Sequence, residues 1–346
     1  MNNNLSRRSF LGSSAALLAT ASLTPIVNSC QTAYPSFPGI NEFGSKFGGV
    51  QTGCTTYSFR NMPAGLENTV KYCRETGINS IELRMYLEEY LGMPENPTQS
   101  ILRQAREAQM ASATPAERTG RPVLTPEQQA RIDKYNADLK AFRLGLTPEK
   151  IAVARKLFDD AGIEIHIWKA EPSAWSDEEI DYAFKTAKLL GAKGITEEIS
   201  ERAVKRLAPF AEKHKMYAIF HNHGQFAEEG FDIDTYLAVS PAVMMNFDVG
   251  HYFGTTGLNP CDFMRKYHDR IFSIHIKDKT GPNTNPPNMN QVYGQGETPV
   301  EEILLLIKNE RWPIYVDIEL EHEIKPWSNH VKETKTCVQY LRNILI

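Results

Sequence analysis

Acidic and histidine side chains recur in this sequence directly after short apolar runs. Five such runs end in Glu197-Glu198, His221-Asn222-His223, Asp248-Val249-Gly250-His251, His275-Ile276-Lys277-Asp278 and Glu319-Leu320-Glu321-His322. Carboxylate oxygens and imidazole nitrogens, with no thiolate among them, are the ligands of a hard or borderline divalent metal. The sequence therefore predicts a site for one divalent cation, with Mn, Mg, Co and Zn as candidates.

Alternating helices and strands must position these side chains. Strand candidates start near Gln51, Ile78, Ile163, Lys193, Met216, Val243, Ile271 and Ile314. Amphipathic helical segments separate them, and most successive starts are roughly 25 to 30 residues apart. This spacing is typical of parallel βα units, and eight such units close a barrel. We therefore predict an α/β fold, a (β/α)8 TIM barrel.

One gap between strand candidates is much longer than the others. It follows the second strand, and we interpret about 88–146 as a helical insertion in a barrel that spans 51–346. The insertion should emerge at the C-terminal rim of the barrel, where active sites of this fold lie. Two interpretations of the insertion remain open: it covers the site, or it is a solvated segment without a role there. We interpret 31–50 as an N-terminal extension.

The first thirty residues read as an export signal. Ser6-Arg7-Arg8-Ser9-Phe10-Leu11 precedes a small apolar run from Leu17 to Leu23, which is the twin-arginine pattern. We predict an exported, periplasmic protein. Cys30 ends a segment that resembles a lipoprotein cleavage box, so a lipid anchor is an open alternative. No later stretch is apolar for the ~20 residues that a membrane span needs.

Composition and charge exclude several classes of protein. Hydrophobic residues make up 41% and charged residues 23% of the chain, as in globular proteins with a large core. The net charge of −4 disfavours a nucleic acid partner. Cys54, Cys73, Cys261 and Cys337 form no CxxC pair, which argues against a zinc ribbon or redox motif. We predict that they are small buried side chains.

Strand order predicts how the cation is held. The fourth and eighth strands of an eight-stranded barrel lie opposite each other, so Glu198 and Glu319 should face one another across the pocket. With Asp248 and His275 they would ligate the cation. Two opposed carboxylates suit proton transfer, because one removes a proton and the other returns it. Glu197 is the alternative to Glu198, which we prefer.

Two further strand ends are candidates for the lining of the substrate pocket. Glu82 ends the second strand and Trp168 the third. The Trp168 ring has two open interpretations, stacking on a ring of the substrate or packing at the rim.

These motifs resemble the xylose isomerase-like TIM barrels, specifically the sugar phosphate isomerase/epimerase group. The resemblance covers nearly all of the chain after the export signal. It rests on Gly53–Phe59, Phe220–Gly224, Asp248–His251, His275–Asp278 and Ile318–Glu321.

The resemblance also implies roles for individual residues. The implied metal ligands are Glu198, Asp248, His275 and Glu319. The implied substrate contacts are His221, His223, His251 and Lys277.

We expect a metal-dependent isomerase or epimerase that abstracts a proton next to a carbonyl of a sugar or keto-sugar. The absence of a Gly-rich phosphate loop from the sequence favours a neutral sugar. One alternative is a metal-dependent lyase that cleaves 3-keto-glycosides by β-elimination. Another is a non-catalytic periplasmic sugar-binding barrel. The DNA-repair endonucleases of this fold are disfavoured, since they need more ligands for a multi-zinc cluster.

Overall fold

The computed structural model describes residues 43–112 and 120–346. The predicted export signal with Cys30 lies outside these residues, as does most of the predicted extension over 31–50. Within the described residues, no helix combines the length and apolar character that crossing a membrane requires.

A closed barrel of eight parallel strands forms the centre of the described chain and confirms the predicted fold. The strands are β1 (Val50–Thr55), β2 (Ser80–Leu83), β3 (Glu164–Trp168), β4 (Gly194–Glu198), β5 (Tyr217–His221), β6 (Val243–Asp248), β7 (Ile271–Ile276) and β8 (Tyr315–Ile318). Each strand pairs with the next, and β8 pairs back with β1. Closure leaves no free sheet edge.

Helices and a few short strands complete the fold. The helices are α1 (Leu66–Thr76), α2 (Leu87–Tyr90), α3 (Thr98–Ser112), α4 (Pro126–Gly145), α5 (Pro148–Asp160), α6 (Asp177–Leu190), α7 (Glu201–His214), α8 (Ile233–Leu237), α9 (Val249–Thr256), α10 (Pro260–Tyr267), α11 (Val300–Glu310) and α12 (His330–Leu345). The short strand Lys46–Phe47 pairs antiparallel with β1, and Asp278–Lys279 pairs with Asn290–Gln291. The second pair lies in the loop after β7, at the barrel end that carries the predicted site.

The main hydrophobic core lies between the barrel and its helices. Phe158 of α5, Phe184 of α6 and Phe247 of β6 are among its largest fully buried members. Burying an apolar side chain of this size contributes about 1.5–3 kcal/mol. Local signals agree with the packing: Ser176 and Glu179 form a capping box at the start of α6, and Gly191 ends this helix in the left-handed conformation.

The interior of the barrel is polar by contrast. His166 Nε2 of β3 lies 2.8 Å from Asp317 Oδ2 of β8, and both side chains are fully buried. Ser80 Oγ lies 2.9 Å from His166 Nδ1. The contact between His166 and Asp317 joins two strands that do not neighbour each other, which shows that these two side chains point inward.

The segment predicted as an insertion contains α3 and α4. Its end is tied to the helix layer by Arg143 of α4, which lies 2.8 Å from Glu88 Oε1 and 3.1 Å from Glu179 Oε1. The guanidinium also lies 3.5 Å from the centre of the Trp175 ring. Because Glu179 belongs to the first turn of α6, the insertion is anchored on the side of the barrel where the strands end.

The cysteines of the described chain are free and buried at Cys54, Cys73, Cys261 and Cys337. This confirms the prediction that they are small buried side chains. Burial raises the pKa of Cys261 to about 12, so this thiol stays protonated at neutral pH.

Candidate metal centre

Four side chains that could ligate a metal converge at the C-terminal ends of four consecutive strands, and we refer to His221, Asp248, His275 and Glu319 as the metal-ligating group. His221 ends β5, Asp248 ends β6, His275 is the penultimate residue of β7, and Glu319 directly follows β8. One ligand atom from each lies within 4.8 Å of the others, and all four side chains are buried. Parallel strands end on the same side of a barrel, which brings these sequence-distant groups together.

Glu198, predicted as a ligand, contacts Lys169 and His223 in the structure. Its Oε1 accepts a hydrogen bond from Lys169 Nζ at 2.6 Å, and its Oε2 lies 3.2 Å from His223 Nε2. Burial alone would raise the pKa of Glu198, but His223 and Lys169 lower it to about 2. His221, predicted as a substrate contact, lies within reach of Asp248, His275 and Glu319.

Glu197 is oriented away from this arrangement. Its carboxylate accepts hydrogen bonds from the Ser173 backbone N–H at 2.8 Å and from the Ser173 hydroxyl. Of the two glutamates, Glu198 is therefore the one that lies with Lys169 and His223.

Lys277 lies among the acidic residues of the centre. Its ammonium is 2.9 Å from Asp248 Oδ2, 2.6 Å from Glu319 Oε2 and 2.7 Å from Glu321 Oε2. Burial alone would lower the pKa of this lysine, but the charges of Asp248 and Glu319 raise it, so the group is cationic. The predicted substrate contact at Lys277 is thus also the counter-charge of three carboxylates.

His275 lies between two carboxylates. Its Nδ1 is 3.0 Å from Glu319 Oε2, and its Nε2 is 3.1 Å from Glu82 Oε2. Burial alone would lower the pKa of His275, but Glu319 and Glu82 hold it well above its usual range. Glu82, predicted to line the sugar pocket, is fully buried on the far side of the His275 ring from Glu319.

His251 and His223 form the more exposed side of the centre. Their rings stack at 4.7 Å between centroids, and His251 Nε2 lies 3.3 Å from Lys277 Nζ. Burial lowers the pKa of His251 to about 4, although Asp248 opposes this. The side chain of His223 is 55% exposed, and its hydrogen bond to Glu198 raises its pKa. The structure therefore places an exposed imidazole, His223, and a partly buried one, His251, beside the buried group.

Trp168 does not join these residues. Its indole ring is 3% exposed and meets the ring of Tyr182 of α6 edge to face at 6.2 Å. Of the two interpretations left open for this residue, the structure shows the packing role.

Two residues of the centre were missed by sequence reasoning. Lys169 directly follows β3, and its position at a strand end was the available signal. Asn246 lies two residues before Asp248 in β6, so the two-residue period of a strand places both on one face. Asn246 Nδ2 donates a hydrogen bond to Glu82 Oε2 at 2.6 Å.

The donor set fits a divalent cation. His221, Asp248, His275 and Glu319 offer two imidazoles and two carboxylates, a combination found at Zn, Mn and Co sites. His221 Nδ1 is buried and has no hydrogen-bond partner among the described residues. Leaving such an atom unsatisfied costs about 1–3 kcal/mol.

The charge balance of the centre also favours a cation. The acidic residues are Glu82, Glu198, Asp248, Glu319 and Glu321, and the paired lysines are Lys169 and Lys277. These five carboxylates outnumber the two ammonium groups together with the His275 ring, whose pKa is raised, so an added positive charge reduces their mutual repulsion.

Comparison with known proteins agrees with the barrel fold described above. Residues 129–344 match the family described as xylose isomerase-like TIM barrel. The chain belongs to this family. The match confirms the part of the predicted resemblance that concerns the xylose isomerase-like TIM barrels. No curated protein matches this xylose isomerase-like chain.

Solved structures share the xylose isomerase-like fold. A sugar phosphate isomerase/epimerase from Parabacteroides distasonis is 16% identical, with a TM-score of 0.52 over 85% of this chain and 99% of that one. A probable 3-DHS dehydratase from Bacillus anthracis is 14% identical, with a TM-score of 0.52 over 84% and 98%. A D-psicose 3-epimerase from Clostridium cellulolyticum is 12% identical, with a TM-score of 0.50 over 85% and 99%. At these identities the likeness concerns the fold alone.

Proposed function

We propose that this xylose isomerase-like protein is a metal-dependent isomerase or epimerase that moves a proton next to the carbonyl of a sugar or keto-sugar. The observation that carries the proposal is the convergence of His221, Asp248, His275 and Glu319 within 4.8 Å at the strand ends. These four residues would hold the cation. When bound, a divalent cation polarises a carbonyl oxygen and stabilises the negative charge that develops as the neighbouring C–H bond loses its proton.

Glu319 is the carboxylate that we assign to proton removal. Burial alone would raise its pKa, but Lys277 and His275 hold the pKa of Glu319 well below its usual range. The side chain is therefore ionised at neutral pH and able to accept a proton. Lys277 and His275 also fix its orientation through contacts of 2.6 and 3.0 Å to Oε2.

The substrate side of the centre is assigned to the more exposed imidazoles. His223 and His251 carry ring nitrogens that donate or accept hydrogen bonds, as sugar hydroxyls require. Lys277 lies 3.3 Å from His251 and links this side to the buried carboxylates. We therefore assign these two histidines to substrate orientation.

A second candidate function is that of a metal-dependent lyase acting on 3-keto-glycosides by β-elimination. The observation in its favour is that only Glu319, of the two predicted catalytic carboxylates, lies within the metal-ligating group. Glu198 is held by Lys169 and His223. Elimination requires one base and a separate acid for the leaving oxygen, whereas the predicted exchange between two opposed carboxylates requires both at the reacting carbon.

We also propose that the protein is exported. The twin-arginine pattern around Arg7 and Arg8 supports a periplasmic location, with lipidation of Cys30 as the open alternative. A sugar derivative released from glycans would be available in that compartment.

Elemental analysis and proton NMR test the proposed function. The purified protein, loaded in turn with Mn, Co, Zn and Mg, would be incubated in D2O with free ketoses and with 3-keto-glycosides. Deuterium incorporation next to the carbonyl together with a new epimer or isomer supports the isomerase. Release of the aglycone without epimerisation supports the lyase.

A non-catalytic sugar-binding barrel is the remaining outcome of that experiment. It would take up no stoichiometric metal and would exchange no substrate proton with D2O. Glu319→Gln is the matched variant, because it retains the shape of the side chain but lacks the proposed base; it is assayed at saturating metal, since Glu319 is also a proposed ligand. Loss of deuterium incorporation in this variant, with retained metal, would assign proton removal to Glu319.

A further inference from the structure

We infer that Glu82 is a positioning residue, which orients the His275 ring so that Nδ1 faces the metal-ligating group. The inference rests on the proposed function, since it concerns a ligand of the proposed cation. It replaces the role in substrate binding that the sequence predicted for Glu82.

The two nitrogens of His275 face different partners. Nδ1 points toward the group, where it lies 3.0 Å from Glu319 Oε2. Nε2 points to the opposite side, where it lies 3.1 Å from Glu82 Oε2. A nitrogen can ligate a metal only when it carries no proton. Ligation through Nδ1 therefore requires the neutral tautomer of His275 that carries its proton on Nε2. A carboxylate that accepts from Nε2–H stabilises that tautomer and the ring orientation together.

Glu82 is itself held in place. Its Oε2 accepts a hydrogen bond from Asn246 Nδ2 at 2.6 Å, and Asn246 lies on β6 two residues before Asp248. Asn246 Nδ2 also lies 3.0 Å from His275 Nε2, so the three side chains converge. Each of Glu82, Asn246 and His275 is at most 1% exposed. A carboxylate buried behind the ring cannot reach substrate, but it can set the geometry of the ligand.

A purely structural role is the competing interpretation, in which Glu82 only satisfies the amide of Asn246 within the barrel. Replacement would then lower stability without altering metal affinity. Glu179 provides a matched control, because it is also a buried glutamate and its partners, Arg143 and Ser176, lie outside the metal-ligating group.

The test compares wild type with Glu82→Gln and Glu179→Gln. Mn(II) affinity is measured by calorimetry, and the Co(II) form is examined by paramagnetic proton NMR for the exchangeable Nε2–H signal of His275. We expect Glu82→Gln to weaken Mn(II) binding by about 10–100-fold, the usual effect of losing such a partner. The Nε2–H signal should shift or exchange faster in this variant. Glu179→Gln should bind Mn(II) as wild type does.

Each outcome decides between the two proposals. Equal Mn(II) affinity and an unchanged Nε2–H signal in wild type and Glu82→Gln would overturn the positioning role while leaving the proposed function intact. A wild-type protein that binds no divalent metal would overturn both. If Glu82→Gln does not fold, Glu82→Asp takes its place, because it retains the charge on a side chain that is one methylene group shorter. Unchanged Mn(II) affinity of this variant would also count against the inference.

Discussion

The ammonium group of Lys277 lies 2.6 Å from Glu319 Oε2, and both groups are buried. The same ammonium approaches Asp248 Oδ2 at 2.9 Å and Glu321 Oε2 at 2.7 Å. A cation of the protein itself thus bridges two of the residues proposed to hold the metal. We therefore expect the stability of these carboxylates to depend on two positive charges, the Lys277 ammonium and the proposed metal ion.

Lys277→Met tests that dependence. Without metal, the variant leaves Asp248, Glu319 and Glu321 without their counter-charge, and breaking a buried ion pair on one side costs about 3–5 kcal/mol. We expect a loss of unfolding free energy of this size in EDTA and a smaller loss with saturating Mn(II). Denaturant unfolding under both conditions measures it. Equal losses would show that metal and lysine act independently.

His221→Ala and Glu198→Gln distinguish the two candidates for the fourth ligand. Removing His221 takes away one of four ligands and should weaken Mn(II) binding by at least the 10–100-fold seen for a lost supporting contact. Glu198→Gln should leave the metal stoichiometry unchanged, because Glu198 contacts Lys169 and His223 instead. Calorimetric titration measures both. The reverse pattern would restore the ligand set predicted from the sequence.

Arg143→Met tests how the inserted segment is attached. The variant loses the ion pairs with Glu179, which is buried, and with Glu88, which is partly buried, and should cost about 3–5 kcal/mol, because both carboxylates lose a positively charged partner. Lys140→Met is the control: its pair with Glu178 on the same two helices is exposed and worth about 0–1 kcal/mol. Urea unfolding and limited proteolysis of α3 and α4 report the effect. Similar values for both variants would refute a special role for Arg143.

Gly250→Ala tests why a glycine precedes His251. A Cβ at Gly250 would overlap the Lys277 side chain, so Lys277 must shift away from its carboxylates. We expect a cost of about 1–3 kcal/mol for this overpacking, together with weaker metal binding. Gly145→Ala at the end of α4 meets no atom within 4 Å and should leave stability and metal affinity unchanged. Thermal unfolding and calorimetry distinguish the two variants.

Much of the barrel could be predicted from the sequence. Helix caps such as Ser176 and Gly191 and the spacing of apolar runs depend on local chemistry, and local chemistry is readable from the chain. The convergence of Asp248, His275 and Glu319 was predictable for the same reason, because strand ends in a parallel barrel share one rim.

The side chain that lies beside these three was not predictable in this way. Glu198 and His221 lie opposite each other in the register between β4 and β5, so both stand at the same height in the barrel. The four side chains that converge in the structure follow four consecutive strands, β5 to β8. Which neighbour reaches the group depends on the contacts of Glu198 with Lys169 and His223, which only folding creates.

The sequence by itself determined the barrel, the rim that carries the chemistry and three of the four groups proposed to ligate the cation, because these follow from strand periodicity and parallel order. The tertiary structure decided that His221 lies beside these three while Glu198 contacts Lys169 and His223, and it decided the place of Glu82 behind His275 and the outward turn of Trp168. The pairing of β2 with β3 shifts register between Ile81 and Glu82, and such an irregularity changes which side chains face inward. Register and side-chain reach are properties of neighbouring strands together, so no single strand encodes them.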